Sequence, residues 1–132
     1  MITESSNLKS QNQNSKVKSD LRERSFSYSV RSIKFISTLP EKRINWVLTN
    51  QLVRSATSIG ANVIEAKSAS SKKDFIRFYE IALKSANETI YWLRLLRDAL
   101  SIDGNEIQFL TKEAEELSKI IAASLLTMKN KR

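Results

Sequence analysis

Between Pro40 and Gly104 the chain contains no proline and a single glycine, Gly60. An all-β domain needs a turn signal about every 8–12 residues, and this stretch has almost none to offer. Apolar residues in the same stretch recur at steps of three and four, the period of a helix. Two Gly and one Pro in 132 residues carry the constraint over the whole chain, so long helices joined by short turns are expected. Cys and His are both absent. Disulfides, thiolate chemistry, imidazole metal ligands and every triad built on His are thereby excluded.

Four amphipathic segments can be read between two polar ends. Residues 1–20 hold 11 Ser, Thr, Asn and Gln against four apolar residues (Met1, Ile2, Leu8, Val17). Such a segment buries too little to offset the entropy of ordering it, which predicts a disordered polar tail. The first helix is expected over Leu21–Leu39, with Phe26, Val30, Ile33 and Ile36 on its core face, ended by Pro40. Pro40 suits the first position of the next helix. That helix spans Glu41–Lys67, with Ile44, Leu48, Leu52, Ser55/Ala56, Ile59 and Val63 as its stripe. Gly60 lies among small residues there, which predicts a close helix crossing.

The third helix opens on Ser71-Lys72-Lys73-Asp74, a capping-box pattern. It carries two adjacent apolar stripes: Phe75, Phe78, Ala82, Ser85, Thr89, Trp92 and Leu96, beside Tyr79, Leu83, Ala86, Ile90, Leu93 and Leu100. That is more than one core-facing stripe of about 100° requires: either the helix is central in the domain or it also packs on another subunit, and a homo-oligomer is expected. Asp103-Gly104-Asn105-Glu106 supplies a turn. The fourth helix follows with Ile107, Leu110, Ala114, Leu117, Ile121, Leu125 and Met128, leaving 129–132 as a basic fray. The expected fold is all-α: an antiparallel up-down-up-down four-helix bundle over residues 21–128.

The blocks QLVRSATSIGANVIEA (Gln51–Ala66) and SSKKDFIRFYEIALKSANETIYWLRLL (Ser70–Leu96) carry a family pattern. Gln51, Leu52, Arg54, Ser58, Ile59, Asn62 and Glu65 match its first half. Phe75, Arg77, Phe78, Ile81, Ala82, Ser85 and Glu88 match the second. On these residues the chain resembles the "four helix bundle protein" family, also called the 23S rRNA-intervening-sequence protein family. It is also similar to the accessory protein of diversity-generating retroelements. The resemblance implies a left-handed antiparallel bundle, frequently assembled as a ring of five. It also brings in nucleic acid and a reverse transcriptase as partners, through the accessory protein.

Residue by residue, an enzymatic reading is weak. Glu65 and Glu88 could form a carboxylate pair, but a di-iron bundle needs Glu-x-x-His on two helices, and there is no His. We therefore expect no enzyme, no metal and no cofactor. Arg54, Asn62, Glu65 and Glu88 are expected instead as a structural polar network fixing helix register.

Charge offers more. The net charge is +8, with 22 Lys and Arg against 14 Asp and Glu. The basic residues Lys72, Lys73, Arg77 and Lys84 on the third helix, with Arg24, Arg31 and Lys34 on the first, form the candidate surface for RNA or DNA phosphates. Lys42 and Arg43 add to it at the start of the second. The competing reading is a solvated surface laced by i, i+4 pairs such as Glu80–Lys84, Arg94–Asp98 and Glu115–Lys119. An alternative function is a protein-interaction scaffold, with an acidic face around Glu113, Glu115 and Glu116 docking a basic partner. Trp46, Tyr91 and Trp92 could stack bases. Trp92 falls in the core stripe, whereas Trp46 and Tyr91 suit subunit contacts. No apolar run approaches the roughly 18–20 residues of a membrane span and no signal peptide is visible, so a cytoplasmic location without membrane contact is expected.

Overall fold

A computed structural model of the chain describes residues 13–131. It consists of four helices: α1 (Gln13–Ser37), α2 (Arg43–Ala66), α3 (Lys72–Leu100) and α4 (Asn105–Asn130). There is no strand among the described residues. Each helix packs on its chain neighbours, and α1 closes the bundle against α4. Cross-helix pairs run in opposite directions along the α2–α3 and α1–α4 seams, and short turns join α1 to α2 and α3 to α4. Ser58 meets Ser85 while Ser55 meets Thr89, and Arg24 meets Glu113 while Arg31 meets Glu106. The expected antiparallel four-helix bundle is the fold.

The helix ends follow local chemistry. Pro40 lies in the α1–α2 connection, not at the first helical position expected for it. Its carbonyl accepts the Lys42 N–H and the Asn45 Nδ2–H, each at 2.9 Å, and Lys42 stays extended before the helix starts. Ser71 caps α3 as its sequence suggests, accepting the Asp74 N–H at 3.1 Å. At the α3–α4 turn Ser101 adopts a left-handed conformation (φ 56°), and Gly104 has φ 130°, which side-chain-bearing residues rarely adopt. α1 begins at Gln13, within the segment read as a tail. Residues 1–12 of that segment lie outside the described residues, as does Arg132 of the basic fray. α4 continues through Lys129 and Asn130.

The core face of α1 differs from expectation. Leu21, Ser25, Tyr28, Ser32 and Phe35 are buried, whereas Phe26, Val30 and Ile33 are 61%, 37% and 46% exposed. At about 100° per residue the second set lies roughly opposite the first. Two serines made the true face look polar, and the apolar stripe opposite it carried the clearer pattern. Similarly, Asn45 and Thr49 are buried in α2 while Ile44 is exposed. In α3 the buried seam runs between the two stripes, through Tyr79, Ala82, Ser85, Ala86, Thr89, Leu93 and Leu96. Phe75, Phe78 and Trp92 flank it half-buried. The stripe read in α4 is its core face from Ile107 to Leu125.

At Gly60 the backbone of α1 passes close to α2. A Cβ there would sit 3.1 Å from the Ser25 carbonyl oxygen and 3.2 Å from its carbon. A side chain at this position would crowd the Ser25 backbone, as the small residues around it suggest.

Candidate nucleic-acid interface

Lys73, Arg77 and Lys84 sit on one outer flank of α3, all exposed. Their spacing of four and seven residues keeps them on one side of the helix over about 16 Å of its length. Neither Lys73 nor Lys84 has a carboxylate within ion-pair distance among the described residues. Arg77 lies 3.8 Å from Asp74, an exposed pair of the kind that contributes little, and its guanidinium covers the Phe78 ring at 4.9 Å. Lys72 turns to the end of the bundle, where its ammonium donates to the Lys131 carbonyl.

The α1 cations have a different role. Arg24 makes a two-pronged contact with Glu113, at 2.7 and 3.0 Å. Arg31 does the same with Glu106, at 2.7 and 2.9 Å, and lies 3.6 Å above the centre of the Phe109 ring. The hydrogen bonds raise both guanidinium pKa values, and Arg31 holds the Glu106 carboxyl below its ordinary range. Paired charges facing each other in this geometry form the α1–α4 seam. The Tyr28 hydroxyl, raised by burial, adds a bond to the Leu110 carbonyl at 2.7 Å in the same seam. Of the α1 candidates, only Lys34 is exposed with no carboxylate partner among the described residues.

The expected polar network of Arg54, Asn62, Glu65 and Glu88 does not form. Arg54, Glu65 and Glu88 are exposed, and no ion pair joins them. Glu88 instead accepts the Trp92 Nε1–H at 3.3 Å. Asn62 turns back on its own helix, donating to the Ser58 carbonyl at 2.8 Å and to Ser58 Oγ at 3.0 Å. Arg54, Glu65 and Glu88 stay outside the α2–α3 seam. Short hydroxyls do the cross-linking inside it. Ser58 Oγ lies 2.8 Å from Ser85 Oγ, and Ser55 Oγ lies 2.9 Å from Thr89 Oγ1, which also reaches the Ser85 carbonyl at 2.7 Å. The signal for this ladder was the run of small residues in α2 opposite Ser85 and Thr89.

The i, i+4 pairs of the competing reading, Glu80–Lys84, Arg94–Asp98 and Glu115–Lys119, are not among the ion pairs of the described residues. Lys129 takes Glu80 at 2.9 Å, and Arg97 takes Asp98 at 2.7 Å. Glu115 and Glu116 are exposed, while Glu113 is engaged by Arg24. Trp46 and Tyr91 are exposed. Trp92 packs half-buried with its ring edge-to-face against Tyr91. Among the described residues no helix is long and apolar enough to cross a membrane.

Comparison with known proteins agrees with this architecture. A solved structure from Bacteroides thetaiotaomicron, described as a protein of unknown function from the S23 ribosomal protein family, superposes with a TM-score of 0.76 at 34% identity. The match covers 83% of this chain and 97% of that one. No curated protein matches the chain. The family described as 23S rRNA-intervening sequence protein matches residues 17–123, almost the whole of the bundle. On that match and that superposition, the chain belongs to the 23S rRNA-intervening sequence protein family.

Proposed function

We propose that the chain is a non-enzymatic, self-associating bundle that binds RNA or DNA through the outer flank of α3, in the cytoplasm and away from membranes. The observation that carries this reading is the set of exposed cations Lys73, Arg77 and Lys84 on one flank, two of them with no carboxylate partner among the described residues. Lys72 extends the basic surface at the end of the bundle where α3 begins, Lys34 lies at the other end beside the α3–α4 turn, and Arg24 and Arg31 hold α4 and contribute only long-range field. Contact with phosphates through such residues is sequence-tolerant and salt-sensitive. The lack of His and Cys supports a role without catalysis, metal or cofactor.

Self-association is supported by the exposed Phe26, Val30 and Ile33 on the side of α1 away from its own core. Burying such a stripe against another copy removes apolar surface from water. A ring of five is the assembly the family resemblance implies, and it would multiply the +8 charge of one chain.

Filter binding of RNA and of DNA across a salt series tests the function. Replacing Lys73, Arg77 and Lys84 together by Ala should weaken both and flatten the logarithmic salt slope by about one per lost contact. Helicity should stay unchanged, because exposed charges contribute little to folding. Binding that ignores salt and these three residues would refute the reading.

A further inference from the structure

The α1–α2 connection carries a feature that the basic flank of α3 does not explain. Trp46 is 67% exposed, the most exposed of the large hydrophobic residues described. Its indole makes no ring contact, cation–π contact or hydrogen bond among the described residues. It borders an open cleft of about 400 Å³ at the end of the bundle, floored by Ile36, Leu39 and Pro40. That volume falls within the roughly 300–1,000 Å³ of small-ligand clefts. The wall is held in place from behind. The Pro40 carbonyl is tied to both Lys42 and Asn45, and Asn45 is itself buried.

The charges at the mouth are mostly positive. Lys42 and Arg43 line the cleft together with Trp46, and Arg43 lies three residues before it on α2, a spacing that brings helix neighbours side by side. Both are exposed, and neither has a carboxylate within ion-pair distance among the described residues. Glu41 is the opposing charge in the lining. A flat, unengaged indole beside two available cations is the arrangement that takes an unpaired base on the ring and its phosphates on the cations. A duplex cannot use it, because its bases are already stacked inside the helix.

We propose that the Trp46 cleft is a stacking site for one base of a single-stranded nucleic acid, with Lys42 and Arg43 on the flanking phosphates. This rests on the nucleic-acid reading above and makes it specific: single strand is preferred over duplex, and α3 supplies sequence-tolerant attraction at a distance from the stacked base.

The test uses the full chain carrying Trp92→Phe, so that Trp46 is the single fluorophore. It is titrated with oligo(dT) of about 20 nucleotides, with an abasic strand of equal length, and with a duplex. Oligo(dT) should quench the Trp46 emission, and the abasic strand should bind without quenching. In the parent chain, Trp46→Ala should weaken oligo(dT) binding by about tenfold and leave abasic-strand binding unchanged, while Trp46→Phe retains most of the affinity. If Trp46→Ala binds oligo(dT) as the parent does while the α3 triple variant loses it, the cleft proposal falls and the nucleic-acid reading stands. If the parent binds no strand at any salt concentration, both fall. If Trp46 emission shifts to the blue with protein concentration alone, and Trp46→Ala abolishes association, another copy covers the cleft and the proposal is overturned.

Discussion

Replacing Gly60 by Ala sets two opposed terms against each other. Within a helix, Ala is favoured over Gly by about 1 kcal/mol of intrinsic propensity. At Gly60 the added Cβ would lie 3.1, 3.2 and 3.4 Å from the carbonyl oxygen, carbonyl carbon and Cβ of Ser25. Two of these atoms are backbone, so no rotamer change can relieve the crowding. α1 would have to move as a body, against Tyr28–Leu110 and Arg24–Glu113 on its other side. Overpacking of this kind costs typically about 1–3 kcal/mol. The net expectation is destabilisation by about 1 kcal/mol, a fall of about 4 °C in Tm for a domain of this size. Ala61 gives the control, being in the same helix but exposed. Ala61→Gly should lose about 1 kcal/mol from propensity alone. Urea denaturation followed by circular dichroism, at one protein concentration, measures both. If Gly60→Ala is stabilising by the full propensity difference, the close crossing at Ser25 is wrong.

Three further outcomes follow from the same geometry. Glu106 is held below its ordinary pKa by its hydrogen bonds from Arg31, so its folded value lies under its unfolded one. Its contribution is therefore present above the ordinary Glu value, roughly pH 4.3, and lost as pH falls through the lower folded value. The pair is half-exposed, so solvent screening keeps the effect small. Glu106→Gln should remove that part of the acid sensitivity, and melts at about pH 7 and pH 3 that lose equal stability in parent and variant would refute it. Ile33→Asp should reduce the assembled mass seen by light scattering while circular dichroism is preserved, whereas unchanged mass would show that this stripe is not the contact. Tyr28→Phe removes the 2.7 Å bond to the Leu110 carbonyl and should cost about 1 kcal/mol in chemical denaturation; a neutral result would show that water replaces the bond without loss.

Much of this fold is legible in the sequence because breakers are few and informative. Ser71, Gly60 and the α4 stripe each have a local cause that a pattern records. The α1 face does not, because Ser25 and Ser32 occupy core positions while Phe26, Val30 and Ile33 repeat on the opposite side. Helical period identifies a stripe but not which of two stripes faces inward. The charges fail for a related reason. Arg24 and Arg31 look like surface cations until partners 89 and 75 residues away face them across the seam. The Arg54, Asn62, Glu65 and Glu88 pattern falls on two adjacent helices, but its charged residues are exposed and Asn62 bonds back to Ser58 of its own helix. Trp46 stands out in the sequence only as an aromatic residue off the main stripe. The cleft beside it depends on where the α1–α2 turn brings Leu39 and Pro40.

The two seams also differ in when they form. Ser58–Ser85 and Ser55–Thr89 join residues 27 and 34 apart, within one helical hairpin. Arg24–Glu113 and Arg31–Glu106 need both ends of the chain, and the entropy of closing so long a loop falls on them. The α2–α3 hairpin is therefore expected to condense first, with α1 docking on α4 late. On that order, Arg24→Ala and Arg31→Ala should speed unfolding and leave the folding limb of the chevron nearly unmoved. Thr89→Ala should slow folding. Hydrogen exchange in the native state should then release the amides of α1 ahead of those of α2 and α3, which makes the first helix the hinged stave of the barrel.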